Sequence, residues 1–221
     1  MPRKRFAKAA GTAAACLLLF LAAAPPAGAY FVTFKEQFYR LFHMHLQRDP
    51  DNVMENIYWL ERALAADFAN PLFALARIET EAQWEKYRYL FMMHLNVKMV
   101  EQYLFLGAMW SRRNVYFFNA PWRAANLESL DTAETVFLAA TYYWDEARRW
   151  AALARQRRFL FIELPRVQFW ADSAYRIEIG ELDYGRTIRR ELANIERMRG
   201  QLRAMPDPVP WDLPPSPEFP W

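Results

Sequence analysis

Beyond residue 29 this chain holds only four glycines, Gly107, Gly180, Gly185 and Gly200. Seven of the eleven prolines in the same stretch crowd into residues 206–220. A many-stranded sandwich or barrel needs turn residues about every 8–12 positions. That supply is missing, so the body is expected to be all-α. The apolar share of 54% provides enough side chains for a core, which excludes a disordered chain.

Residues 1–29 read as a secretory signal. Arg3, Lys4, Arg5 and Lys8 are basic, Ala9 to Ala24 are apolar, Pro25 and Pro26 break the helix, and Ala27-Gly28-Ala29 offers small residues to a peptidase. Cleavage is predicted after Ala29, placing the mature protein in a periplasm or outside the cell. A retained anchor is the alternative, although the apolar stretch is shorter than the roughly 20 residues that span a bilayer. Without the leader, 24 bases face 25 acids. No globally basic surface for nucleic acid is present. The only cysteine, Cys16, lies in the leader. Disulfides, thiolate metal sites and cysteine nucleophiles are therefore excluded from the rest.

Apolar spacing predicts a helix over about 32–48, ended by Pro50. Asn52 with Glu55 and Thr80 with Gln83 have the spacing of capping boxes and open two more. Asn70-Pro71 offers a further cap with proline at the first helical position. The helix from Thr80 either breaks near Asn96, the favoured reading, or runs on to about Arg112, and residues 113–130 are read as irregular or as carrying one short helix. Asp131 with Glu134 is read as the cap of a long helix to about Arg158. Residues 159–162 fit either a helix end or a short strand. A final helix runs from Asp183 to about Met205. Residues 30–205 thus form a helical domain, and 206–221 an extended proline-rich tail carrying Trp211 and Trp221.

A degenerate repeat runs through the body. Tyr103, Leu106, Gly107 and Trp110 have the spacing aromatic-x2-Leu-Gly-x2-aromatic. Leu138, Ala139 and Tyr142 restate it after Thr135, and Leu72, Leu75, Ala76 and Glu79 stand in the matching earlier positions. A small residue at Gly107, Ala139 or Ala76 would let a paired helix approach closely. On this spacing the chain resembles the tetratricopeptide-like superfamily over about residues 52–158. The resemblance implies an irregular array of antiparallel helix hairpins that holds segments of other proteins. Standard repeat geometry would put Leu104, Ala108, Arg112, Val136, Ala140 and Tyr143 on the concave face. Trp84 to Phe91 and Tyr103 to Gly107, together with the leader, also resemble periplasmic repeat proteins of the spirochaete flagellar collar.

No nucleotide-binding loop, dinucleotide fingerprint or nucleophile elbow is present, so no catalytic residue is assigned. His43 and His45 are about 200° apart around a helix, and His94 stands by itself, so no metal or other cofactor is expected. Residues 148–203 carry 13 arginines against 7 acids. That bias suits docking to acidic partners or an anionic membrane surface. The expected function is a non-catalytic scaffold within a hetero-oligomer of envelope proteins. Leu104, Arg112, Tyr143, Trp122, Trp211 and Trp221 would make partner contacts. A small-ligand or transporter-associated binding protein is the alternative.

Overall fold

The computed structural model describes residues 31–113, 115 and 120–207. By its contacts the chain divides into Met1–Val32 and Thr33–Trp221, and the helical body belongs to the second unit. Its α-helices are α1 (Lys35–Arg48), α2 (Val53–Ala65), α3 (Glu81–Ala108), α4 (Arg123–Ala154), α5 (Gln168–Glu178) and α6 (Tyr184–Arg203). No strand occurs among the described residues; one isolated bridge joins Phe34 and Asp67.

Side-chain caps start three of these helices. Asn52 accepts from the Glu55 N–H at 3.3 Å, and Asp183 from the Arg186 N–H at 3.0 Å. Thr80 and Gln83 satisfy one another's backbone N–H, each at 3.2 Å. These bonds occupy donors that a first helical turn leaves open.

The α3–α4 hairpin is the spine. Tyr89 meets Trp150, Tyr103 stacks on Tyr143, and Ser129 donates to the Trp110 carbonyl at 2.7 Å. Partner numbers fall on α4 as they rise on α3, so the pair is antiparallel. Helix α4 buries Leu130, Ala133, Phe137, Ala140, Trp144, Ala147, Ala151 and Ala154. Steps of three and four alternate along this stripe, a seam in which small and large side chains interdigitate. At Gly107, an added Cβ would lie 2.5 Å from Phe137 Cε1, so close approach requires the glycine there.

Several expectations need correction. Helix α3 does not break at Asn96, because the Asn96 amide donates to the Met92 carbonyl at 2.8 Å and leaves the helix intact. It passes instead into a π-helical turn, Met109–Arg113. Helix α4 starts at Arg123, eight residues before the expected cap; Asp131 and Glu134 hold Arg199 of α6 instead, at 2.6 and 2.7 Å. Residues 72–79 are not an α-helix: Pro71–Phe73 is a single 3-10 turn followed by irregular chain. Residues 159–162 resolve into a 3-10 turn, Arg157–Phe159, and a following turn. Helix α5 was not anticipated. The proline-rich tail from residue 208 on lies outside the described residues.

The remaining helices pack around the spine. Helix α1 runs against α2, with Lys35 Nζ donating to the Ala63 and Leu64 carbonyls at 3.1 and 2.5 Å. Lys86 Nζ similarly donates to the carbonyls of Phe159 and Ile162, at 2.9 and 2.6 Å. Trp170 of α5 sits among Tyr39, Tyr87, Phe91 and His94, with ring centroids 5.0–6.3 Å away. Helix α6 lies along α4, where Tyr184 packs edge-on against Trp144.

His94 does not stand by itself in the fold: its Nε2 lies 2.6 Å from Tyr39 Oη. Burial, then the charges of Lys98 and His43, hold its imidazole well below the usual histidine range. The folded protein keeps it neutral, whereas the unfolded chain protonates it near about pH 6.5. Stability is therefore full above that pH and falls as pH drops through it, by at most about 1.4 kcal/mol per unit. His43, lowered by burial and by Lys98, acts in the same direction. Urea midpoints at about pH 7.5 and about pH 5.5 should show the loss, and His94→Gln should lessen it. An equal drop in both proteins would remove His94 as its source.

Candidate partner-binding surface

The helices leave two grooves along α6. The smaller, about 390 Å³, lies between α3 and α6 and is lined by Leu104, Phe105, Ala108 and Arg112 with Tyr184 and Glu191. Arg112 Nη2 is 2.9 Å from both Glu191 carboxylate oxygens. Burial pushes the Glu191 carboxyl up, but hydrogen bonds and charge from Arg112, with Arg190 and Asn194, outweigh it and hold the group below its usual range. Glu191 is therefore a fixed anion and Arg112 is occupied in pairing with it.

The larger groove, about 640 Å³, lies between α4, the α5–α6 turn and α6. Leu138, Trp144, Ile188 and Leu192 line it, with charges of both signs from Asp145, Arg148, Asp183 and Arg189. Gly180, at φ 75°, makes the reversal between α5 and α6 that forms one wall. Leu138 is 53% exposed and Tyr142, one turn further along α4, is 65% exposed.

The expected site residues thus separate. Leu104, Ala108 and Arg112 share the smaller groove. Tyr143 does not join them: its ring stacks on Tyr103 at 5.3 Å inside the hairpin. Burial and its neighbour Tyr103 raise its phenol far above the usual value, so it remains neutral. Ala140 is buried in the seam and Val136 is half-buried beside it. Trp122 is partly exposed at the start of α4, while Trp211 and Trp221 lie outside the described residues.

The residues expected to pack the repeats also divide. Gly107, Tyr103, Leu106 and Trp110 are buried or half-buried, as is Ala139. Leu138 and Tyr142 face outward because α4 buries the stripe through Phe137 and Ala140. Ala76 is buried and Leu75 half-buried, but both lie in irregular chain, where the Leu75 N–H donates to Tyr87 Oη at 3.1 Å. The larger groove was missed. On α4 it is lined by Leu138, Thr141, Trp144, Asp145 and Arg148, a mixed polar and apolar stripe beside the buried seam that carries no apolar periodicity of its own.

Among the described residues no group of three His, Cys, Asp or Glu side chains could hold a metal ion. None of the described helices is long and apolar enough to cross a membrane. Fold and grooves together define an all-helical protein with open, apolar-floored surfaces. The chain belongs to the family described as Domain of unknown function (DUF8513), whose model matches residues 82–205, from the start of α3 to just beyond α6. No curated protein and no solved structure matches it.

Proposed function

We propose that the protein is a non-catalytic adaptor of the cell envelope that holds an amphipathic segment of another protein in the groove between α4 and α6. The observation that carries this reading is the groove itself. Its floor of Leu138, Trp144, Ile188 and Leu192 suits one apolar face, and its rim offers both charges to the flanks of an incoming segment. Helix hairpins such as α1–α2 and α3–α4 are the building units of a tetratricopeptide-like array, which supports the same use. In this reading residues 1–29 direct export to the periplasm. The resemblance to spirochaete flagellar collar proteins makes a subunit around that motor its specific setting.

Leu138→Glu and Arg189→Glu test the groove, because both side chains are exposed and neither holds the core. Each should reduce retention of a partner captured by the wild type from its own envelope by about tenfold or more, the scale of a central contact. Retention equal to wild type in both variants would overturn the assignment. A small molecule found bound in the groove by native mass spectrometry would replace the protein segment with a ligand.

A further inference from the structure

Two loops meet the same end of the spine. Residues 66–80 lead into α3, and Phe68 packs on Trp84, Tyr87 and Phe91 in its first three turns. Residues 155–167 follow α4 and are pinned to α3 by Lys86, and by Arg158 bonded to Glu85 at 2.6 Å. The body also begins here: the Lys35 N–H donates to the Asp67 carbonyl at 2.8 Å. Each loop carries an adjacent apolar pair turned to solvent. Leu72 and Phe73 are 85% and 69% exposed, and Leu160 and Phe161 are 45% and 95% exposed.

Such exposure is not forced by the sequence between the pairs. Phe159, one residue before Leu160, is fully buried under Tyr89, and Ala69 and Ala76 are buried on either side of Leu72 and Phe73. Each loop is thus fastened by neighbouring residues while its apolar tip is left in water. Transfer of such tips out of water is favourable by about 25 cal/mol per Å².

The surrounding charge selects the phase that would receive them. From 155 to 167 the chain carries Arg155, Arg157, Arg158 and Arg166 against a single acid, Glu163. Arg155 and Arg158 are engaged by Glu178 and Glu85. Arg157 and Arg166 are exposed and form no ion pair among the described residues. The other acids at this end are Asp67, Glu79, which pairs with Arg77 at 2.9 Å, Glu81 at the start of α3, and Glu36, which is buried and accepts from the Ala69 N–H at 2.9 Å. Apolar tips beside free arginines match the boundary between acyl chains and anionic headgroups. The tips stand on separate loops and Phe161 has almost no protein around it, which suits a fluid layer better than a shaped protein pocket.

We infer that this end of the body docks on an anionic phospholipid bilayer, with Leu72, Phe73, Leu160 and Phe161 entering the interface and Arg157 and Arg166 meeting lipid phosphates. The contact is peripheral and reversible.

Co-sedimentation of the chain from Tyr30 onward with vesicles tests this, since the body is a compact unit without the leader. Vesicles of phosphatidylcholine with phosphatidylglycerol should retain the protein about tenfold better than phosphatidylcholine alone. The pair Leu160→Ser with Phe161→Ser, and separately Arg157→Glu with Arg166→Glu, should each lower retention about tenfold or more. Unchanged circular dichroism and thermal midpoint would confirm folding, as all four side chains are exposed. Retention that ignores anionic lipid, or that survives both double substitutions, overturns the inference. Loss of self-association or of protein capture in the serine pair, without any lipid effect, assigns this end to a protein interface and equally overturns it. Leu138→Glu should leave vesicle binding at wild-type level, which separates this face from the α4–α6 groove.

Discussion

Replacing Trp170 by alanine should lower the unfolding free energy by about 3–5 kcal/mol, the range for removing a large buried aromatic side chain. The side chain is 1% exposed and touches residues of α1 and α3 as well as its own neighbour Phe169. Its loss would empty the junction that holds α1 and α5 against the spine. A protein of this size has about 5–15 kcal/mol in total, so the urea midpoint should fall steeply. Trp170→Phe separates packing from polarity. The indole Nε1 has no hydrogen-bond partner among the described residues, so phenylalanine forfeits volume but no bond. Its cost should be well under half that of alanine. Equal costs for the two variants would show that the junction depends on something other than filled volume.

The second large effect is expected at Gly107→Leu, at about 3 kcal/mol, near the upper end of ordinary overpacking. Three ring atoms of Phe137 lie within 2.5–2.8 Å of where the first side-chain carbon would stand, and Phe137 is fully buried, so the ring must shift within the core to admit it. Gly107→Ala sets two effects against each other, because alanine favours a helix interior by about 1 kcal/mol over glycine. The collision should win and alanine should still destabilise. Combining Gly107→Leu with Phe137→Ala lets the new side chain occupy the vacated space. The pair should be less damaging than the sum of the two single changes by about 1 kcal/mol or more. Simple additivity would mean that the two residues do not share one contact.

These sites also show which parts of the fold could be read in advance. Helices α2, α3 and α6 announce their starts through Asn52, Thr80 and Asp183, because a cap bonds to chain only three residues away. Helices α4 and α5 have no side-chain cap at their first turn. One was therefore placed late and the other missed. Asn96 misled for a related reason: whether an asparagine ends a helix depends on where its amide turns, and here it turns back to Met92. In the repeat, Gly107 was singled out by local spacing and does sit where helices touch. Leu138 and Tyr142 stand at the matching spacing on α4 yet face outward, because which stripe of α4 is inward depends on its rotation against α3. The Leu104, Ala108 and Arg112 face was legible as one helical stripe, but the helix lying opposite it, α6, comes from far along the chain.

The uninterrupted course of α3 through Asn96 has a mechanical consequence. Twenty-eight residues of α-helix extend about 42 Å at 1.5 Å per residue, and the seam with α4 braces nearly all of that length. Had the backbone bent midway, the two extremities could swing. As built, the turn at Met109–Arg113 is held at a set stand-off from the loops that carry Phe73 and Phe161. The hairpin is a strut, and a body gripped at one extremity would carry the other at a constant reach.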